Sequence, residues 1–134
     1  MKTITEIINI IETTNPRSAW DKGVKAYALE LLETIPQNVE YGSIESLKAD
    51  LLNGANNWDM YSWGGCSLIY NEEIAKRLCT PSELKKTRNG ERRPNSREAW
   101  LDCQARALRQ AWWAIRNVAI GAELPWTPGV VVPF

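Results

Sequence analysis

Apolar positions recur at helical spacing from the start of this 134-residue chain. Ile4, Ile7, Ile8 and Ile11 form one stripe, and Thr3 with Glu6 makes a capping box ahead of it, which predicts a helix over Thr3 to Thr13. Asn15 and Pro16 break the pattern. It resumes near Pro16 or Ser18 with Trp20, Val24, Tyr27, Leu31 and Ile35 on one face, Ala28 and Leu32 beside them, and Pro36 closes it. Ser43 caps a third helix that turns Ile44, Leu47, Leu51 and Leu52 inward and stops at Asn53 and Gly54.

The longest pattern is the last. Asn95 caps it and Glu98 completes a box, after which Leu101, Ala105, Leu108, Trp112, Ile115 and Ala119 recur at steps of four and three. Trp100, Cys103, Ala107, Ala111, Ala114 and Val118 form a second apolar stripe beside the first. So wide a surface predicts a central helix running from Ser96 to at least Val118, with Leu108 and Trp112 buried. The remaining face carries Asp102, Arg106, Arg109, Trp113 and Arg116. Trp113 stands there among arginines, and is expected to be more exposed than Trp112.

Two stretches lack a clear period. Ala55 to Tyr70 mixes Asn56, Asn57, Gly64 and Gly65 with Trp58, Tyr61 and Trp63, so it is expected to tuck against the body or meet a partner. The tail Glu123 to Phe134 is apolar but broken by Pro125, Pro128, Gly129 and Pro133, and is expected to pair with Cys66 to Tyr70 as a minor two-stranded element.

The chain is organised around Asn71 to Leu108. Asn71 caps a helix with Glu72 and Glu73 in its first turn and Ile74, Ala75 and Leu78 inward, which must stop near Cys79. Thr80 then supplies a second cap, Pro81 occupies the first helical position, and Glu83 completes a capping box. With Asn89 and Gly90 as the stop, a second short helix is predicted over Pro81 to Asn89. Two short helices joined by so brief a turn are the signature of a helix-turn-helix unit.

Ser82, Leu84, Asn89, Gly90, Arg92 and Pro94 resemble the S-x-L…N-G-x-R-x-P run of phage-repressor (Cro-like) helix-turn-helix domains, and Ile74, Ala75 and Leu78 resemble the helix before it. The resemblance implies that the second helix lies in the DNA major groove. The turn here is a residue shorter than the family's Gly-containing one and holds Cys79, Thr80 and Pro81 instead. More broadly, YSWGGCSLIY followed by LCTPSELKKTRNGERRPN is similar to a family of small proteins of bacterial mobile elements and phages that carries no established activity.

Length fits a single domain, 1–134. No apolar run is long enough to span a membrane and the N-terminus has no secretory pattern, so a cytoplasmic location and no membrane partner are expected. Cys66, Cys79 and Cys103, an odd number at irregular spacing, do not suit a disulfide framework and are expected as core residues or nearby thiols. There is no histidine. That removes the commonest general base, and it leaves zinc only a carboxylate-rich shell, so no catalytic residue, metal or cofactor is expected.

The formal net charge is zero, but its distribution is not even. Residues 1–75 hold 5 basic and 11 acidic side chains, residues 76–97 hold 8 and 2, and residues 98–134 hold 3 and 3. The central segment therefore carries +6 against −6 before it, and the two blocks either pair across the fold, form solvated faces, or mark a binding surface.

The fold expected is mainly α, about six helices around the C-terminal one. Three functions are compatible with it. In a non-enzymatic DNA-binding regulator of a phage or mobile element, Lys85, Lys86, Arg92 and Arg93 contact phosphates while Ser82 and Arg88 reach base edges. In a protein-binding accessory factor or inhibitor, the contacts come from Trp58 and Trp63, from the face of Arg109, Trp113 and Arg116, or from the apolar tail. A single-strand binder would stack bases on Trp58, Tyr61 or Trp63.

Overall fold

A computed structural model describes residues 2–37, 40–56, 76–90, 92–124 and 126. Its elements, in chain order, are α1 (Ile4–Glu12), α2 (Ala19–Glu33), α3 (Ile44–Asn56), a 3-10 turn (Pro81–Glu83), β1 (Leu84–Lys86), β2 (Arg92–Pro94) and α4 (Arg97–Ala119). The class is mainly α, as expected, and residues 76–78 are also helical.

Local capping explains where the first three helices begin. The Thr3 hydroxyl accepts the Glu6 N–H at 3.2 Å while the Glu6 carboxylate accepts the Thr3 N–H at 3.1 Å, closing the anticipated box. Ser18 accepts the Asp21 N–H at 3.0 Å, and Ser43 accepts that of Ser46 at 3.1 Å. The apolar stripes of α1 and α2 face inward, with Ile4, Ile7, Ile11, Val24, Tyr27, Leu31 and Leu32 buried. Helix α3 passes through Asn53 and Gly54 to Asn56 rather than stopping there, because one glycine costs a helix only about 1 kcal/mol.

Helix α4 is the element that α1, α2 and α3 all pack against, α2 most extensively. Its N-cap is Ser96, whose hydroxyl accepts the Ala99 N–H at 3.1 Å, not Asn95. At the other end Gly121 takes φ +77, its N–H reaches the Val118 carbonyl at 3.1 Å, and the Ala122 N–H reaches Asn117 at 2.7 Å, a Schellman stop. Beyond it Leu124 is buried and Trp126 packs on the core.

The buried face of α4 is most of the second apolar stripe together with the C-terminal end of the first, Ile115 and Ala119. Cys103, Ala107, Ala111, Ala114, Ile115 and Val118 are inside, whereas Leu108 and Trp112 are half-buried and Leu101 and Ala105 exposed, so burial of Leu108 and Trp112 is corrected. The alanines make this face narrow, and α2 forms the most extensive of the helix contacts on α4. Leu108 and Trp112 are left at the rim beside Lys48, Leu51 and Leu52 of α3.

Cys79 and Cys103 form a disulfide, Cα to Cα 5.8 Å, which corrects the expectation of unpaired core cysteines. Both are buried, and the bond ties the segment before the 3-10 turn to the second turn of α4 on its inner face. Cys66 and the strand pairing expected of Cys66 to Tyr70 lie outside the described residues, as do Asn71 to Ala75. Among the described residues no helix is long and apolar enough to cross a membrane.

Candidate nucleic-acid interface

The predicted helix over Pro81 to Asn89 is not formed. Thr80 and Glu83 make their box, but it closes one 3-10 turn, after which Leu84 is extended (φ −106, ψ 146) and the chain enters an antiparallel hairpin. There is thus no second helix to lie in a groove, and the helix-turn-helix expectation is corrected at that element. Asn89 and Gly90 belong to the hairpin's connection instead. The Gly90 N–H bonds the Thr87 carbonyl at 3.0 Å and Gly90 holds φ +80, the left-handed geometry such connections require.

Contacts from distant parts of the chain fix the hairpin's base. The Glu83 carboxylate accepts from Arg106 Nη1 at 2.9 Å, from the Thr80 N–H at 2.8 Å and from the Thr80 hydroxyl at 2.8 Å. The Arg106 guanidinium, then the Thr80 bonds, holds its carboxyl down at about 2. Arg106 also donates to the Leu78 carbonyl at 2.7 Å. Asn95 completes the closure, its N–H reaching the Glu83 carbonyl at 2.8 Å and its side-chain amide the Ser82 carbonyl at 2.6 Å. Ser82 therefore sits in the turn at the hairpin's base and not on a longer helix, its carbonyl accepting from Asn95 and its hydroxyl exposed 3.1 Å from that of Thr80.

The register brings the basic residues together. Leu84 pairs with Pro94, Lys85 with Arg93 and Lys86 with Arg92, so two cations stand opposite each other on each face of the ribbon. Lys85, Lys86 and Arg88 are exposed and Arg92 and Arg93 half-buried. From Leu84 to Pro94 the sequence holds five basic residues and one acidic, a net of +4. Glu83, the acidic residue next to the hairpin, is directed at Arg106 on α4.

A cleft of about 500 Å³ opens between the hairpin and the first turn of α4. Lys85, Thr87, Arg93 and Pro94 line it from the hairpin, Asn95 and Ser96 from the junction, and Arg97 and Trp100 from the helix. Pro94 is buried, Trp100 half-buried and Arg97 exposed. The sequence carries no mark of this grouping, because Trp100 lies in an apolar stripe and Arg97 at a helix start, and nothing local places either beside Lys85.

The residues expected to contact a protein are partly visible. Trp113 is half-buried like Trp112, with Arg116 Cζ 5.1 Å from its ring centroid, and Arg109 is exposed on the same side of α4. Trp58 and Trp63, with Tyr61, lie outside the described residues. No family model, curated protein or solved structure matches the chain.

Proposed function

We propose that this protein binds DNA without catalysing a reaction on it, and that the β1–β2 hairpin is its contact element. The observation that carries this reading is the register, which sets Lys85 against Arg93 and Lys86 against Arg92. Like charges directly opposite each other weaken a hairpin, and phosphate oxygens between them would offset that cost. A two-stranded ribbon also has the width to enter a major groove. In this arrangement Lys85, Lys86, Arg92 and Arg93 contact phosphates, and Arg88, exposed in the connection, is the side chain that reaches a base edge. With zero net charge on the whole chain, the attraction is local to the hairpin.

The test is a titration of duplex DNA at two salt concentrations. Affinity is expected to fall steeply with salt, and changing Arg92 and Arg93 together to Ala should lower affinity for all sequences and flatten the log–log salt slope by about 1.8. Arg88→Ala should instead relax preference at one base position by about 1–3 kcal/mol. Wild-type protein that leaves duplex unbound even at low salt overturns the proposal. A second reading, a protein-contact surface at Arg109, Trp113 and Arg116, is favoured by the half-buried Trp113 ring, which carries the Arg116 guanidinium 5.1 Å from its centroid beside exposed Arg109.

A further inference from the structure

The cleft beside the hairpin sets Arg97 and Trp100, which groove contact does not use, next to Lys85 and Arg93, which it does. We infer that it is a subsite for one unpaired nucleotide, its phosphate among Lys85, Arg93 and Arg97 and its base against Trp100. This rests on the reading of the hairpin as a nucleic-acid contact and specifies a second binding mode beside it.

Volume, charge and shape each support the assignment. About 500 Å³ lies within the range of roughly 300–1,000 Å³ typical of sites for small ligands. Lys85 and Arg93 share one face of the ribbon by register, and the lining has three cations with no acidic side chain among the described residues. Arg97 and Trp100, three residues apart, project from the same side of α4's first turn, so a cation and an aromatic ring meet the hairpin together.

Arg97 stands at the first position of a 23-residue helix, where the exposed N–H groups already make the field positive. A cation there opposes the helix dipole, and an anion bound in the cleft would offset that cost. Arg97, Arg93 and Lys85 would act on that anion together. Pro94 and Trp100 supply the apolar surface a base needs, and the amide and hydroxyl of Asn95 and Ser96 suit a sugar. A base in duplex is stacked on both sides and cannot present its face to Trp100; an unpaired one can.

The experiment measures binding of a thymidine single strand of about eight nucleotides and of a duplex of about 20 base pairs by wild type, Arg97→Glu and Trp100→Leu. Trp100→Leu is expected to lose about tenfold in single-strand affinity and to keep its duplex affinity within about twofold. Arg97→Glu should lose single-strand binding with no fall in thermal midpoint, because an acidic residue suits a helix start better than arginine does. It carries the test if Trp100→Leu unfolds. Unchanged single-strand binding in Arg97→Glu overturns the subsite. So does a Trp100→Leu protein that binds normally while inorganic triphosphate displaces the strand, the behaviour of a plain anion site. Wild type that binds duplex but no single strand refutes the subsite alone, whereas wild type that binds neither also refutes the proposed function.

Discussion

Replacing Glu83 by Gln tests what holds the hairpin in place. Glu83 Oε1 accepts three hydrogen bonds, one of them from Arg106 at 2.9 Å, and the Glu83 and Arg106 side chains are 18% and 32% exposed. A carboxyl held at about 2 instead of the usual 4.5 is worth at most about 3 kcal/mol of folding stability. Partial exposure of both partners reduces this to about 1–2 kcal/mol. Because the folded-state value is depressed, the contribution is fully present above about pH 4.5 and is lost as pH falls toward 2. Glu83→Gln keeps an acceptor for Thr80 but lacks the charge for Arg106. Urea unfolding followed by tryptophan fluorescence should show it about 1–2 kcal/mol less stable at pH 7, with the gap to wild type closing near pH 2. A double-mutant cycle with Arg106→Met should return most of that energy as coupling. A variant as stable as wild type at pH 7, or a gap that persists unchanged at pH 2, refutes the clamp.

Two more predictions concern the same region. Changing Cys79 and Cys103 together to Ala removes a crosslink between residues 24 apart and should cost about 3.5 kcal/mol, read as a lowered urea midpoint; mass spectrometry of the alkylated wild type should show the pair protected until reduction. Gly90→Ala should destabilise by about 1–2 kcal/mol from backbone conformation alone, since nothing lies within 4 Å of the added methyl, and Gly90→Asn should cost less because Asn tolerates positive φ. Equal midpoints for the Ala variant and wild type would remove the left-handed turn from the hairpin.

How much was legible differs by element. Helices α1 and α2 were written locally, since stripe and cap coincide at Thr3 and Ser18 and need no distant contact. The candidate interface was legible as a list of residues but not as a shape. Thr80, Pro81 and Glu83 look the same before one 3-10 turn as before a longer helix, and Asn89–Gly90 serves equally as a helix stop or a hairpin connection. The cleft had no local mark at all, because Lys85 and Trp100 meet only once the strand register and the start of α4 are set.

By itself the sequence determined the helical class, the central role of the last helix and the concentration of positive charge between residues 76 and 97. These follow from periodicity, capping and count, which are properties of neighbouring residues. Tertiary structure decided that Cys103, Ala107, Ala111 and Ala114 went inside while Leu101, Ala105, Leu108 and Trp112 stayed at or near the surface, because periodicity marks both stripes as apolar and only packing against the other helices distinguishes them. It also decided that Lys85 and Lys86 lie on a strand and not a helix, and that Arg92 and Arg93 pair with them across a ribbon. Arg106 and Asn95, distant in sequence, take up the Glu83 carboxylate and the Ser82 and Glu83 carbonyls, and with those groups engaged the chain after Glu83 pairs with β2 instead of continuing to wind.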